Sequence, residues 1–344
     1  MTEAALVDAL ARAALVEEVV VLRDPSADVL EAYGLDDQLG VIAWISGDAE
    51  QRAAALNAGA LEVVHPDMPV EEAVARVETA VARFRSRLHL ERAREEQLNA
   101  SEELAQDLRL AARLQRSLLP QELPSAGVQF AAFYYPREVV SGDAYGVQEF
   151  GDSVVFYTLD SVGHGVRAAL ISILLRSALQ PCDASGALRA PNEVLADLDR
   201  MLCGTRVHET PTAAFCYGVL DRQRGILEVS CAGHPPPVRL RPNGERVEIE
   251  EASGLLLGIQ PWDYASVSVD LEPGDRVFFF TDGVGIDSGR EFVEQLLRHR
   301  DLNLEEQVGG ALGGVIELDA EGRPADDVTV LAVEYAPDRS KRSE

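Results

Sequence analysis

An α+β chain, with antiparallel β-sheets covered by helices behind a small α/β layer and a long helix, is what three observations predict for this sequence. From about residue 120 to 337, runs rich in β-branched and aromatic residues follow one another, with turn residues at their ends and no βαβ alternation. Residues 84–119 hold Glu, Arg, Gln, Leu and Ala without a Gly or Pro, the composition of a long exposed helix. Residues 1–83 alternate short continuous apolar runs with helical stretches, as strands buried on both faces of a parallel sheet do. The residues 338–344 read as a disordered tail.

In the first block, Glu18 to Leu22 and Gly40 to Ile45 are the strand-like runs, and Ala49 to Ala58 and Val70 to Ala82 the helical ones. The segment Asn57-Ala58-Gly59-Ala60-Leu61-Glu62-Val63-Val64-His65-Pro66 is similar to the end of a two-component receiver domain, where Ala-Gly-Ala leads to a strand ending in Lys-Pro. His65 stands at the lysine position, and Ser46 where a strand-end Ser or Thr is expected. The block is too short for five strands and lacks the acidic first-strand pair. The resemblance therefore implies a truncated or degenerate receiver-like domain over 1–83, with Asp24 at the phosphoacceptor position. A packing or dimerisation module is the other reading.

Along the helix, Val74, Val77, Val81, Phe84 and Leu88 keep a three-four apolar spacing. The spacing lapses over Glu91 to Gln97 and resumes at Leu98, Leu104, Leu108, Ala111 and Leu118. This predicts either a coiled coil with a polar interruption, joining two protomers into a homodimer, or a single helix lying on the next domain.

In the third block, 120–337, the strands expected are Val128 to Tyr135, Ser153 to Leu159, Ala213 to Leu220, Ile226 to Cys231, Val238 to Leu240, Arg276 to Thr281 and Val328 to Glu334. Two helices, Val166 to Leu179 and Asn192 to Leu202, interrupt them.

Composition limits function. A net charge of −27 argues against nucleic acid, whose phosphates need a basic footprint; a phosphate handled here must be drawn by a local cation. Without an apolar run of about eighteen residues or a signal peptide, the expectation is a cytoplasmic protein away from membranes. Cys182, Cys203, Cys216 and Cys231 are widely spaced and read as core thiols rather than a zinc site or a disulfide framework.

Four acid-centred segments carry the chemistry: Ser141-Gly142-Asp143, Leu159-Asp160-Ser161-Val162-Gly163-His164-Gly165, Thr281-Asp282-Gly283-Val284 and Asp326-Asp327-Val328-Thr329. Each sets an aspartate at the end of an apolar run beside a small residue, where it can point into a shared cleft or simply serve a turn. Carboxylates converging from distant parts of a chain repel one another unless a divalent cation lies between them. Oxygen donors without Cys or His favour Mg²⁺ or Mn²⁺ over zinc.

Together with Ala111-Ala112-Arg113-Leu114-Gln115-Arg116-Ser117-Leu118-Leu119-Pro120 and Ala232-Gly233-His234-Pro235-Pro236, these segments resemble the PPM-type metal-dependent serine/threonine protein phosphatases. More narrowly, they resemble the SpoIIE-like bacterial branch, which dephosphorylates anti-anti-sigma factors. The resemblance implies the PPM phosphatase fold: a sandwich of two antiparallel sheets flanked by helices, with two Mn²⁺ or Mg²⁺ ions at one end. Asp143, Asp160 and Asp282 would be catalytic as metal ligands, with Asp160 bridging the ions, the Ser161 carbonyl adding to the shell, and Asp326, in preference to Asp327, completing it. Such ions lower the pKa of a bridging water that attacks phosphorus, so no protein nucleophile is required; no Gly-x-Ser-x-Gly elbow is present, and no cysteine sits in a phosphate-cradling Cys-x₅-Arg loop, since Cys216 and Arg222 have that spacing only across the strand expected at Ala213 to Leu220.

Arg137 would meet the substrate phosphate or be a solvated loop arginine; His164 and His234 read as structural or peripheral. The partners implied are a phosphorylated STAS-type anti-anti-sigma protein and an upstream signalling protein at the N-terminal domain, which would regulate turnover. Three departures lie near the cleft: Gly146 and Ile286 stand where many relatives carry acids, and Ser161-Val162 stands where Val-Ser is usual. A pseudophosphatase or scaffold, and a small-molecule phosphohydrolase, are the competing functional classes.

Overall fold

The computed structural model describes residues 19–26, 28–30, 40–120, 126–205, 211–285 and 288–337. Ile286 and the expected tail over 338–344 lie outside them. The chain divides into two compact units, Met1–Ala105 and Gln106–Glu344.

In the first unit, β1 (Val19–Arg23), β2 (Gly40–Trp44) and β3 (Glu62–Val64) form a parallel sheet in that order. Helix α1 (Ala49–Asn57) starts at a capping box, in which Asp48 accepts from the Gln51 backbone and the Gln51 side chain accepts in return. Helix α2 (Val70–Ser117) runs 48 residues unbroken. Ala73, Val77, Val81, Phe84 and Leu88 pack on Ile42, Trp44 and Val64. The long helix thus starts at Val70, and Phe84 and Leu88 belong to the core of this unit, because nothing between the apolar positions interrupts the helix. Asp24 follows β1 at φ 42°, its carboxylate accepting from Ser46 N at 2.7 Å and Ser46 Oγ at 3.1 Å.

The second unit is a sandwich of two five-stranded antiparallel sheets. One contains β4 (Val128–Tyr135), β9 (Val238–Leu240), β10 (Arg246–Glu248), β12 (Arg276–Phe280) and β13 (Val328–Tyr335), in the order β10-β9-β12-β13-β4. The other contains β5 (Ala144–Phe150), β6 (Ser153–Ser161), β7 (Ala213–Asp221), β8 (Ile226–Ala232) and β11 (Val267–Asp270), in the order β11-β8-β7-β6-β5. Between the sheets lie Val154, Phe156, Cys216, Val229, Val277, Phe279, Leu331 and Val333. On the outer face of the second sheet, Val155, Tyr157, Leu159 and Phe215 pack under α3 (Gly165–Ala178) and α4 (Pro191–Cys203). On the outer face of the first, Phe278, Phe280, Val330 and Ala332 pack under α5 (Ser288–Arg298) and α6 (Leu304–Gly313). The central strands are therefore buried on both faces, which is why they read as continuous apolar runs although the sheets are antiparallel.

The third block contains four helices among the described residues where two were expected, and the strands β5, β10 and β11 in addition. Glycines in α5 and α6 weaken their helical signal, and packing of Phe292, Leu296, Leu304 and Val308 on the sheet overrides it. No helix among the described residues is long and apolar enough to cross a membrane.

Candidate metal centre

Strand register gathers the acids. Ala144 pairs with Leu159 across β5 and β6, so the next residues out, Asp143 and Asp160, stand side by side at one end of that sheet. In the facing sheet, Phe280 pairs with Val330, which brings the 3₁₀ turn Asp282–Val284 next to the Asp326-Asp327 segment before β13. Two glycines permit this approach. A Cβ on Gly283 would lie 1.8 Å from the Asp327 carbonyl oxygen, and one on Gly142 would lie 3.0 Å from the Ser161 carbonyl oxygen.

Asp143 is buried; its Oδ2 accepts from Thr281 Oγ1 at 2.9 Å, while Oδ1 is buried without a hydrogen-bond partner. Burial first, and then the charge of Asp160, push its pKa well above the usual carboxylate range. Asp160 is pushed up to about 7, by burial and then by the charge of Asp282, with Asp326 adding to it. No basic side chain is among the leading influences on either group. Asp282 and Asp326 are exposed. Asp160 and Asp282 face a cleft of about 240 Å³, with Ala214, Gly233, His234, Pro235 and Thr281 forming the rest of its lining.

Asp327 differs from its neighbour. Its Oδ1 accepts from Arg137 N at 2.7 Å and its Oδ2 from Gly142 N at 2.8 Å, so both oxygens staple the β4–β5 loop to the start of β13. Asp326 gives one oxygen to Asp327 N at 2.9 Å. Ser161 is buried at the end of β6, its N–H donating to the Gly142 carbonyl at 3.3 Å. Arg137 is exposed on the stapled loop. His164, before α3, shares a hydrogen bond of 2.7 Å with Glu138, and His234 is buried against Thr158 at 2.9 Å. Of the residues singled out in the sequence, Asp24 belongs to the first unit, and Asp143, Asp160, Ser161, Asp282, Asp326 and Arg137 to the second.

Among the described residues, no three Asp, Glu, His or Cys side chains stand close enough together to hold a metal ion as they are placed. The fit to a divalent cation lies in the donors. They are hard oxygens, no basic side chain is among the leading influences on Asp143 or Asp160, and one buried carboxylate oxygen is without a hydrogen-bond partner. Sequence reasoning placed Thr281 and Asp327 in the acid-centred segments but assigned neither a supporting contact, because the partners of both, Asp143 for Thr281 and Arg137 and Gly142 for Asp327, lie more than 130 positions away in the chain.

The family model described as Stage II sporulation protein E (SpoIIE) matches residues 151–336. Phosphoserine phosphatase RsbU of Bacillus subtilis is 28% identical over 185 residues, which cover 53% of this chain and 54% of that protein. Phosphoserine phosphatase RsbP of the same organism is 26% identical over 182 residues, 52% of this chain and 45% of RsbP. The chain thus spans about half the length of the relatives it matches. The SiaA-PP2C domain of Pseudomonas aeruginosa superposes with a TM-score of 0.60 at 25% identity, covering 69% of this chain and 98% of that one, so the fold of the second unit is that of the PP2C phosphatases. With the family's model running through Asp160, Asp282 and Asp326 and over more than half of the chain, the chain belongs to the SpoIIE family.

Proposed function

We propose that this chain is a divalent-metal-dependent serine/threonine protein phosphatase that hydrolyses phosphoserine or phosphothreonine on a small STAS-type anti-anti-sigma protein. The observation that carries the reading is that the charge of Asp160 acts on Asp143 and those of Asp282 and Asp326 act on Asp160, with no basic side chain among the leading influences on Asp143 or Asp160 and with Asp143 Oδ1 unpartnered. Asp143, Asp160, Asp282 and Asp326, with the Ser161 carbonyl, would hold two Mn²⁺ or Mg²⁺ ions. The engagement of both Asp327 oxygens by backbone N–H groups supports Asp326 as the ligand of that pair. When bound, such ions supply an activated water and neutralise phosphoryl oxygens. Arg137, on the loop held by Asp327, would bind the substrate phosphate. Relatives named as phosphoserine phosphatases support the substrate class.

The first unit would act as the regulatory input from an upstream signalling protein. Asp24, held by Ser46 at the end of β1, is its candidate phosphoacceptor.

The test is phosphate release from p-nitrophenyl phosphate and from a phosphoserine STAS protein with Mn²⁺ titrated. Wild type is compared with Asp160→Ala and Asp282→Ala. Manganese-dependent turnover that falls by at least about a hundredfold in both variants is expected. A folded, metal-bound protein inactive on both substrates would instead be a scaffold.

A further inference from the structure

One buried polar side chain at this end of the sandwich has no part in the reading above. Gln115 lies in the last turn of α2 and is 5% exposed, although its helical neighbours Leu114 and Leu118 are 60% and 40% exposed. Its Oε1 accepts from Ser141 N at 3.0 Å and its Nε2 donates to Ser141 O at 2.6 Å. A single amide thus satisfies a residue's backbone in both directions, as a neighbouring strand would. The next residue is held as fully, with Gly142 N donating to Asp327 Oδ2 at 2.8 Å and Gly142 O accepting from Ser161 N at 3.3 Å. Ser141 Oγ accepts from Asp143 N at 3.1 Å. The dipeptide before Asp143 is therefore fixed by α2, by the start of β13 and by the end of β6.

We propose that Gln115 is a positioning residue of the metal centre: its amide sets the Ser141-Gly142 backbone and, through it, the direction in which Asp143 presents its free oxygen. The inference rests on the metal-centre reading above. The helix end and this loop also share the small apolar cluster of Ala112, Val140 and Ala169, which has no directional preference. Without the amide, the buried N–H and C=O of Ser141 regain partners only if the loop moves, and Asp143 moves with it. Metal ligands must be held within about half an ångström of their productive geometry, so a small displacement suffices.

The experiment measures Mn²⁺ binding by titration calorimetry on the full chain, at a temperature well below the Tm of each protein. Gln115→Leu is expected to raise the Kd for Mn²⁺ by about 10- to 100-fold, the usual effect of losing a group that orients a ligand. A purely structural role would lower Tm and leave Kd alone. A Kd within about twofold of wild type would overturn the proposal. Gln115→Asn keeps an amide but draws it back by one methylene; it is expected to show a smaller rise and serves if the leucine protein does not fold. Wild-type affinity in Gln115→Asn under those conditions would also overturn the proposal. If the wild-type chain binds neither Mn²⁺ nor Mg²⁺, the metal-centre reading itself fails and the proposal falls with it.

Discussion

His234 lines the acid cleft and is kept neutral by its surroundings. The imidazole is 3% exposed; Nδ1–H donates to the Pro235 carbonyl at 2.9 Å, which leaves Nε2 to accept from Thr158 Oγ1 at 2.9 Å. Burial lowers its pKa to about 4. The unfolded chain takes up this proton near pH 6.5 and the folded chain only near pH 4, so the stability His234 contributes is complete above about pH 6.5 and is lost as pH falls toward about 4. The full loss amounts to about 3 kcal/mol. Asp160 works in the opposite sense. With its carboxyl raised to about 7, the metal-free protein loses stability as pH rises from about 4 to about 7. Comparison with His234→Gln isolates the histidine. In urea unfolding of a Trp44→Phe background, where Trp262 alone reports on the second unit, the destabilisation caused by His234→Gln should shrink by about 3 kcal/mol between pH 7 and pH 4. A destabilisation that does not change with pH would mean that the imidazole titrates normally. Sequence shows His234 between a glycine and two prolines but gives no sign of Thr158, since that pairing joins positions 76 apart in the chain.

Among elements, the apolar strands of the sandwich are the most legible part of the chain, and β5 and the turns that bring the acids toward one another are the least. Val128 to Tyr135 and Val238 to Leu240 are read with their observed ends, because β-branched and aromatic residues bounded by turn formers leave few alternatives. β5 is not read as a strand, because Gly146 and the polar Gln148-Glu149 break its apolar pattern. The structure supplies the reason for that glycine: a Cβ there would lie 2.3 Å from the Tyr157 ring. The turn Asp282–Val284 is legible as a turn, but its closeness to Asp327 is not. Gly283→Ala tests that closeness, since the new methyl falls 1.8 Å from the Asp327 carbonyl and the two acid segments must part. About 1–3 kcal/mol of stability should be lost. Turnover of p-nitrophenyl phosphate should drop by about a hundredfold, as expected when ligands are displaced by about an ångström. Unchanged kinetics would show that the segments need not touch for the site to work.

For the whole molecule, the long helix poses the question of assembly. Its early apolar positions are spent inside the first unit, where Val77, Val81, Phe84 and Leu88 are buried. Farther along, Leu90, Leu98 and Leu104 are 72%, 56% and 60% exposed. Leu90 and Leu104 lie two heptads apart, the spacing at which one helix presents the same edge to a partner. Covering a leucine of this kind gains about 1.5–3 kcal/mol, and a single helix in water gains nothing from leaving it bare. The two readings of the helix, a coiled-coil dimer and a single helix lying on the next domain, therefore differ in one measurable respect. If it pairs with a second copy, the full chain should sediment as a dimer at micromolar concentration, and Leu104→Glu, which sets like charges against each other in the seam, should shift it to monomer with helicity largely retained. Mn²⁺ affinity should hardly change in that variant, because Leu104 lies about three turns of helix before Gln115. A wild-type chain that sediments as a monomer would remove the dimer. The exposed leucines would then have to be accounted for by a different binding partner.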